Sequence, residues 1–300
     1  MELTQVHILN LRGVLSVSKR IILARYWHFV SLSLLFFLPL SFYLIISPTL
    51  IHLPNQPFTY DHLIAYLVYT LIVYVLALCA IGTITYSTHH AFFGEPVSFL
   101  DSLKSLTFSF FPLASTVVVA HVLILVTSLT FLMFVGSVLM FMNNLGIVIN
   151  IDYNSVHFMW FSAIMGAVLI AIVIYFYVEW SLAFVVVVVE SKWGFAALMR
   201  SSYLVKGMRS VSLLVMLYFG VCGVFLVGMC SENFYRSWPF GPLVFITMLG
   251  SIFLMMFMLR ITAANTVLYN YCKALHGELA LEVAEGFVQE YMNLPVDAGW

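Results

Sequence analysis

Ser105 to Ile151 is a run of 47 residues without one Asp, Glu, Lys or Arg. It is more than twice the about 20 apolar residues that a helix needs to cross a bilayer. Composition carries the same message. Hydrophobic residues make up 63% of the 300 and charged residues 8%. A soluble domain carries about 25% charged residues. With so few charges to cover a surface, 27 Phe, 16 Tyr and 6 Trp cannot all be enclosed in a soluble globule. Lys plus Arg (12) nearly balance Asp plus Glu (13), and no basic tail is present, so a nucleic-acid partner is not expected. Cys79, Cys222, Cys230 and Cys272 are scattered, with neither zinc spacing nor a disulfide framework. The chain reads as an all-α, polytopic membrane helical bundle.

The apolar runs predict six spans, roughly 29–46, 63–85, 107–142, 156–189, 211–229 and 242–269. A helix over 107–142 would reach about 50 Å, beyond the roughly 30 Å hydrocarbon core, so it must tilt or project. Val185 to Val189 has strand propensity, but an open sheet edge cannot face lipid, so this segment is read as helix within span four. The first 15 residues mix polar and apolar side chains and do not read as a cleavable signal. The whole of 1–300 is read as one membrane domain. Residues 1–28 form an amphipathic N-terminal segment, 29–269 the six-span bundle, and 270–300 an acidic C-terminal helix and tail. That tail helix is expected over about 274–292, separate from span six or running on from it.

Six spans separate seven connecting segments. Arg12, Lys19, Arg20, Arg25, Lys104, Lys192, Arg200, Lys206, Arg209 and Lys273 all fall on one side; Arg236 alone falls on the other, and Arg260 lies inside span six. The positive-inside rule then places both termini in the cytoplasm.

Three segments share a plan: a short, partly amphipathic stretch and then a hairpin of two spans. They start near Gly13, Gly94 and Gly194. In the second, Phe99, Leu103, Leu106 and Phe110 fall on one helix face, which suits an interfacial helix or the opening turns of span three. The hairpins also end alike, through YSTHHAFFGE (86–95), VVVVVESKWG (185–194) and YNYCKALHGE (269–278). Three hairpin-like units with short interfacial helices follow, as an internal repeat.

Ionisable groups at membrane depth are functional candidates by default. Glu179, Arg260, His121, His157 and Glu190 qualify. Glu179 follows 26 charge-free residues. It could pair with Arg260, or both could sit in the interface with the arginine snorkelling. Arg200, Lys206 and Arg209 form a basic segment expected to meet anionic headgroups or acidic protein groups. Glu278, Glu282 and Glu285 form an acidic stripe that could pack on that segment or meet a partner. His89, His90, Glu95, His276 and Glu278 lack the spacing of a zinc motif, and no nucleophile elbow or phosphate loop is present. Neither a cofactor nor a metal is expected. Small residues at Gly220, Gly223 and Gly228, and at Ser162, Ala163, Gly166 and Ala167, permit close helix approach. The expected partners are membrane lipids, and other membrane proteins met through these faces or the acidic tail.

The segment VVVVVESKWGFAALMRSSYLVKGMRSV, from Val185 to Val211, resembles a group of multi-pass membrane proteins related to the membrane domain found beside some bacterial glycerophosphodiester phosphodiesterases. Glu190, Gly194, Ala197, Leu198, Arg200, Ser201, Leu204, Val205, Gly207 and Arg209 carry the likeness, and Thr266 to Glu278 fits the same pattern. The chain as a whole looks like the plant branch of that group. The resemblance implies a helical bundle of the secretory pathway, such as the endoplasmic reticulum, and assigns no catalytic residue, since the soluble phosphodiesterase domain is absent. Three functions stay open: a non-enzymatic scaffold or accessory factor in membrane organisation, trafficking or lipid handling; a carrier of a hydrophobic molecule; and an intramembrane enzyme acting on a lipid-like substrate.

Overall fold

A computed structural model of the chain describes residues 11–51, 60–144, 156–230 and 240–278. All regular structure among them is helical: α1 (Leu11–Ala24), α2 (Tyr26–Ile51), α3 (Tyr60–Phe92), α4 (Phe99–Asn144), α5 (Val156–Glu179), α6 (Ala183–Glu190), α7 (Phe195–Val205), α8 (Arg209–Cys230) and α9 (Phe240–Leu275). Six stretches are long and apolar enough to cross a membrane: Tyr26–Ile46, Leu63–Phe92, Phe99–Phe141, Met159–Glu190, Arg209–Met229 and Val244–Leu275. The fold is therefore the expected helical membrane bundle.

The three short segments take three forms. α1 is a separate helix that turns into α2 at Arg25, whose carbonyl accepts from both His28 N–H and Phe29 N–H. Its buried residues Val14, Ser18 and Ile22 recur every fourth position, the spacing of one helix face. The Gly94 segment forms no helix of its own; it opens α4, which runs unbroken through Pro112 to Asn144. The Gly194 segment is the separate helix α7, buried through Ala197, Leu198, Ser201, Leu204 and Val205.

Span four is not continuous. The helix breaks over Trp180 to Leu182, separating α5 from α6. No proline or glycine causes this. Instead Ser201 of α7 serves both broken ends: its Oγ–H donates to the Glu179 carbonyl (2.8 Å), and its oxygen accepts from Leu182 N–H (3.2 Å). Ser181 and Ser212 hydroxyls meet at 2.8 Å beside the break. A backbone break at the membrane edge is tolerated where protein groups satisfy what it exposes.

Two of the three hairpin ends that look alike in sequence close on a left-handed glycine, while the third, at the end of α6, closes on a left-handed Ser191. α3 closes with Gly94 at φ +82, Gly94 N–H on the Ala91 carbonyl and Glu95 N–H on the His90 carbonyl. This is the Schellman pattern, which needs a left-handed residue at the position after the cap. α9 closes with Gly277 at φ +75 and its N–H on the Ala274 carbonyl. The tail is therefore not a direct continuation of span six: α9 stops at Leu275, and the expected helix beyond Glu278 lies outside the described residues.

Burial concentrates at one end. One cluster joins α6 with the first turns of α4, the last half of α9, α7 and α1, around Val186, Leu113, Tyr269, Leu204 and Val14. A second joins α2, α3 and α9 around Phe29, Leu32, Ile84, Leu259 and Ala263. Beyond Thr116, α4 has no buried residue among those described, and α5 has none before Val178. Those lengths present Phe134, Met140, Trp160 and Ile170 outward, the surface expected where lipid replaces water as solvent.

Candidate functional site

The packed end of the bundle holds a belt of ionic and polar contacts. Glu190 is the last residue of α6, where the carbonyl end of a helix disfavours a negative charge. It is held there by donors from three places. Arg200 Nε of α7 reaches its two oxygens at 3.1 and 3.0 Å, Lys192 Nζ donates at 2.9 Å, and the Tyr269 hydroxyl of α9 donates at 2.9 Å. The other edge of the guanidinium faces Glu278, just beyond α9: Nη1 donates to one oxygen at 3.0 Å and Nη2 to the other. Arg200 thus bridges two carboxylates from separate elements with a planar fork that lysine cannot reproduce. The hydrogen bond from Arg200 holds the Glu278 carboxyl below its ordinary range, and Glu278 in turn raises Arg200. Tyr203 lies under the guanidinium at 5.5 Å, and the His276 ring tilts against Tyr203 at 4.9 Å.

A second pair sits at the broken helix. Glu179 is buried; one oxygen lies 2.7 Å from Arg209 Nε and the other accepts from the Ser202 hydroxyl. The oxygen facing Arg209 sits off the line of the N–H and is buried with no aligned donor, so the contact is a charge pair more than a directed hydrogen bond. The partner is Arg209 and not Arg260, for a geometric reason: the break and α7 place the first turn of α8 against Glu179, while Arg260 points out of α9 and is exposed.

The other sequence candidates fall elsewhere. His121 on α4 donates Nδ1–H to the Val117 carbonyl at 2.8 Å, which leaves Nε2 to accept from the Tyr74 hydroxyl at 3.1 Å. His157 begins α5, but its side chain is outside the described atoms, as are Glu282, Glu285 and Arg236. Lys206 is exposed after α7. His89 meets Asn270 Oδ1 at 3.1 Å, and His90 pairs with Glu95. Among the described residues no three His, Cys, Asp or Glu side chains come together in a way that would hold a metal ion. Of the small residues, Gly223 packs closely against Phe257, where an added Cβ would lie a tight 3.3 Å from the ring, whereas a Cβ at Gly166 or Gly220 would meet no described neighbour.

Sequence reasoning named Glu190 as an ionisable candidate without its partners, and passed over Tyr269. The signal for Glu190 was present: an acid at the end of a valine run, ten residues before an arginine on the next helix. Tyr269 gave none, since an aromatic near a span end is ordinary in a membrane helix.

A bundle of membrane-crossing helices tied at one end by a two-carboxylate arginine bridge is a multi-pass integral membrane protein. The chain belongs to the family described as a domain of unknown function, DUF8558, whose model matches residues 58–295. That match takes in α3 to α9 and every belt residue named above. No curated protein and no solved structure matches the chain.

Proposed function

We propose that the protein is a non-enzymatic integral membrane scaffold or accessory factor, acting in membrane organisation, trafficking or lipid handling. In this reading it resides in the endoplasmic reticulum or another secretory-pathway membrane, with both termini cytoplasmic, and descends from a hairpin repeat shared with the glycerophosphodiesterase-associated membrane domains. One observation supports the non-enzymatic reading most. The ionisable groups described near membrane depth are spent in separate contacts, Glu179 on Arg209 and Ser202, His121 on Tyr74, and do not converge on a common cavity. Acid–base chemistry needs such convergence. Gly166 and Gly220, where a Cβ would meet no described neighbour, offer surfaces on α5 and α8 for partner helices. Affinity capture of the full chain in mild detergent, with proteins and lipids identified together, tests the proposal. Reproducible stoichiometric protein partners are expected; lipid turnover by the purified chain alone would overturn it.

A second reading is a carrier of a hydrophobic molecule. It is favoured by an apolar groove of about 600 Å³ between α8 and α9, lined by Val221, Phe225, Leu226, Phe253 and Phe257. Transfer of a fluorescent lipid between vesicles by the reconstituted chain would select this reading over the first.

A further inference from the structure

A second groove, of about 370 Å³, lies where α4 and α6 run side by side with the end of α3. Its α4 wall is a single stripe: Asp101, Lys104 and Ser105, then Phe108 and Ser109, then Pro112. These positions recur every three or four residues and so share one helix face. The α6 wall is Val187 and Val188, ending at Ser191, and Tyr86 closes the α3 side. α4 and α6 belong to successive spans and run in opposite directions. The polar start of α4 therefore lies beside the polar end of α6, and the apolar residues of both walls lie deeper in the bundle. The groove grades from charged and hydroxylated at the membrane edge to apolar within.

Two local features fit this gradient to a ligand. Ser98 caps α4 by accepting from Asp101 N–H (3.2 Å) while its own hydroxyl donates to Asp101 Oδ2 (2.6 Å). That fixes the carboxylate and turns Oδ1 toward Lys104 Nζ, 4.0 Å away. The two charges are exposed and only loosely paired, so a ligand can separate them at small cost. Further in, Pro112 has no N–H, so the helix supplies no donor for the Phe108 carbonyl, four residues earlier on the same stripe. Pro112 thereby leaves one carbonyl on this stripe without its usual helix partner.

We infer that this groove binds the headgroup of an aminophospholipid. Lys104 takes the phosphate, Asp101 takes the primary ammonium, the Ser191 hydroxyl donates to an ester oxygen, and the first methylenes lie along Phe108, Pro112 and Val188. The volume falls within the about 300–1,000 Å³ of ordinary ligand sites and admits a headgroup with the start of its chains. Choline has the same charge as ethanolamine but no N–H to donate, so Asp101 discriminates between them. The inference stands on the groove and does not depend on the scaffold reading.

Native mass spectrometry of the purified full chain, with equimolar phosphatidylethanolamine and phosphatidylcholine of matched chains, tests it. The expected result is at least a threefold excess of ethanolamine-lipid adducts over choline-lipid adducts. Asp101→Asn should reduce that ratio to about one, and Lys104→Ala should lower both adducts. Asp101 and Lys104 are exposed, so both variants should keep the wild-type melting temperature, and Lys104→Arg should restore binding. Equal retention of the two lipids by the wild type, or an unchanged ratio in Asp101→Asn, overturns the assignment. Complete displacement by equimolar soluble phosphoethanolamine overturns the membrane-lipid part of it, because the apolar wall would then contribute nothing.

Discussion

Replacing Arg200 with alanine removes the group that ties α6 and α7 to the end of α9. Deleting one partner of a buried ion pair costs about 3–5 kcal/mol, because the other charge is left uncompensated. The geometry here reduces that figure. The side chains of Glu190, Arg200 and Glu278 are 11%, 18% and 28% exposed, so Glu278 can rehydrate once released. Glu190 is more enclosed but keeps Lys192 and Tyr269 as donors. The expected loss is therefore about 2–3 kcal/mol, below the full range for a buried pair. At about 2 °C per kcal/mol for a chain of this size, the apparent Tm should fall by about 4–6 °C. Arg200→Lys keeps the charge but not the fork and should lose roughly half as much. Tryptophan fluorescence during heating, in one detergent, measures all three proteins. The decisive comparison is the double variant Glu190→Gln/Arg200→Ala. If the cost comes from an orphaned carboxylate, neutralising Glu190 should recover at least part of the lost stability. A double variant less stable than Arg200→Ala alone, or Arg200→Ala melting within 1 °C of wild type, would refute this reasoning.

Three further outcomes follow from the same contacts. The folded-state Glu278 carboxyl is depressed by Arg200, so its contribution is fully present above the unfolded value of about 4.3 and is lost as pH falls through the lower folded value; melting curves from pH 6 to pH 3 should show a steeper acid loss in wild type than in Glu278→Gln. Glu179→Gln keeps an acceptor for Ser202 and leaves Arg209, half exposed, free to hydrate, so it should cost about 1 kcal/mol; Glu179→Leu strands the Ser202 hydroxyl as well and should cost about 2–3 kcal/mol, and equal melting temperatures for the two would count against the polar network. For topology, glycosylation sites inserted near Gln56, Asn144 and Asn233 should be modified and those near Gly94 and Gly194 should not; the opposite pattern would reverse the orientation drawn from the charge bias.

How much of this was legible in the sequence divides along a physical line. The spans were legible because a bilayer imposes one requirement on each segment separately: enough consecutive apolar residues with an internally satisfied backbone. The closing turns at Gly94 and Gly277 were legible as a repeated pattern because a left-handed cap is a local requirement on one residue. The break between α5 and α6 was not legible. Trp180, Ser181 and Leu182 carry no helix-stopping signal, and the groups that make the break affordable, Ser201 and Ser212, lie on the following two helices.

The same line explains why the partner of Glu179 stayed open in the sequence. Hydropathy left two readings, a pair with Arg260 because both residues fell inside spans, or both groups in the interface. Which arginine arrives depends on the break, which ends α5 at Glu179 and lets α7 fold back so that Arg209 opens α8 beside it. Arg200 follows the same logic one turn of chain earlier: α7 is short enough that Arg200 and Arg209 serve carboxylates at the two ends of α6's neighbourhood, Glu190 after it and Glu179 before it. The basic segment, expected to face headgroups or acidic groups, is therefore largely committed to the protein's own acids. In the headgroup assignment we infer, Lys104, exposed at the mouth of the α4–α6 groove, is the cation left for lipid phosphate.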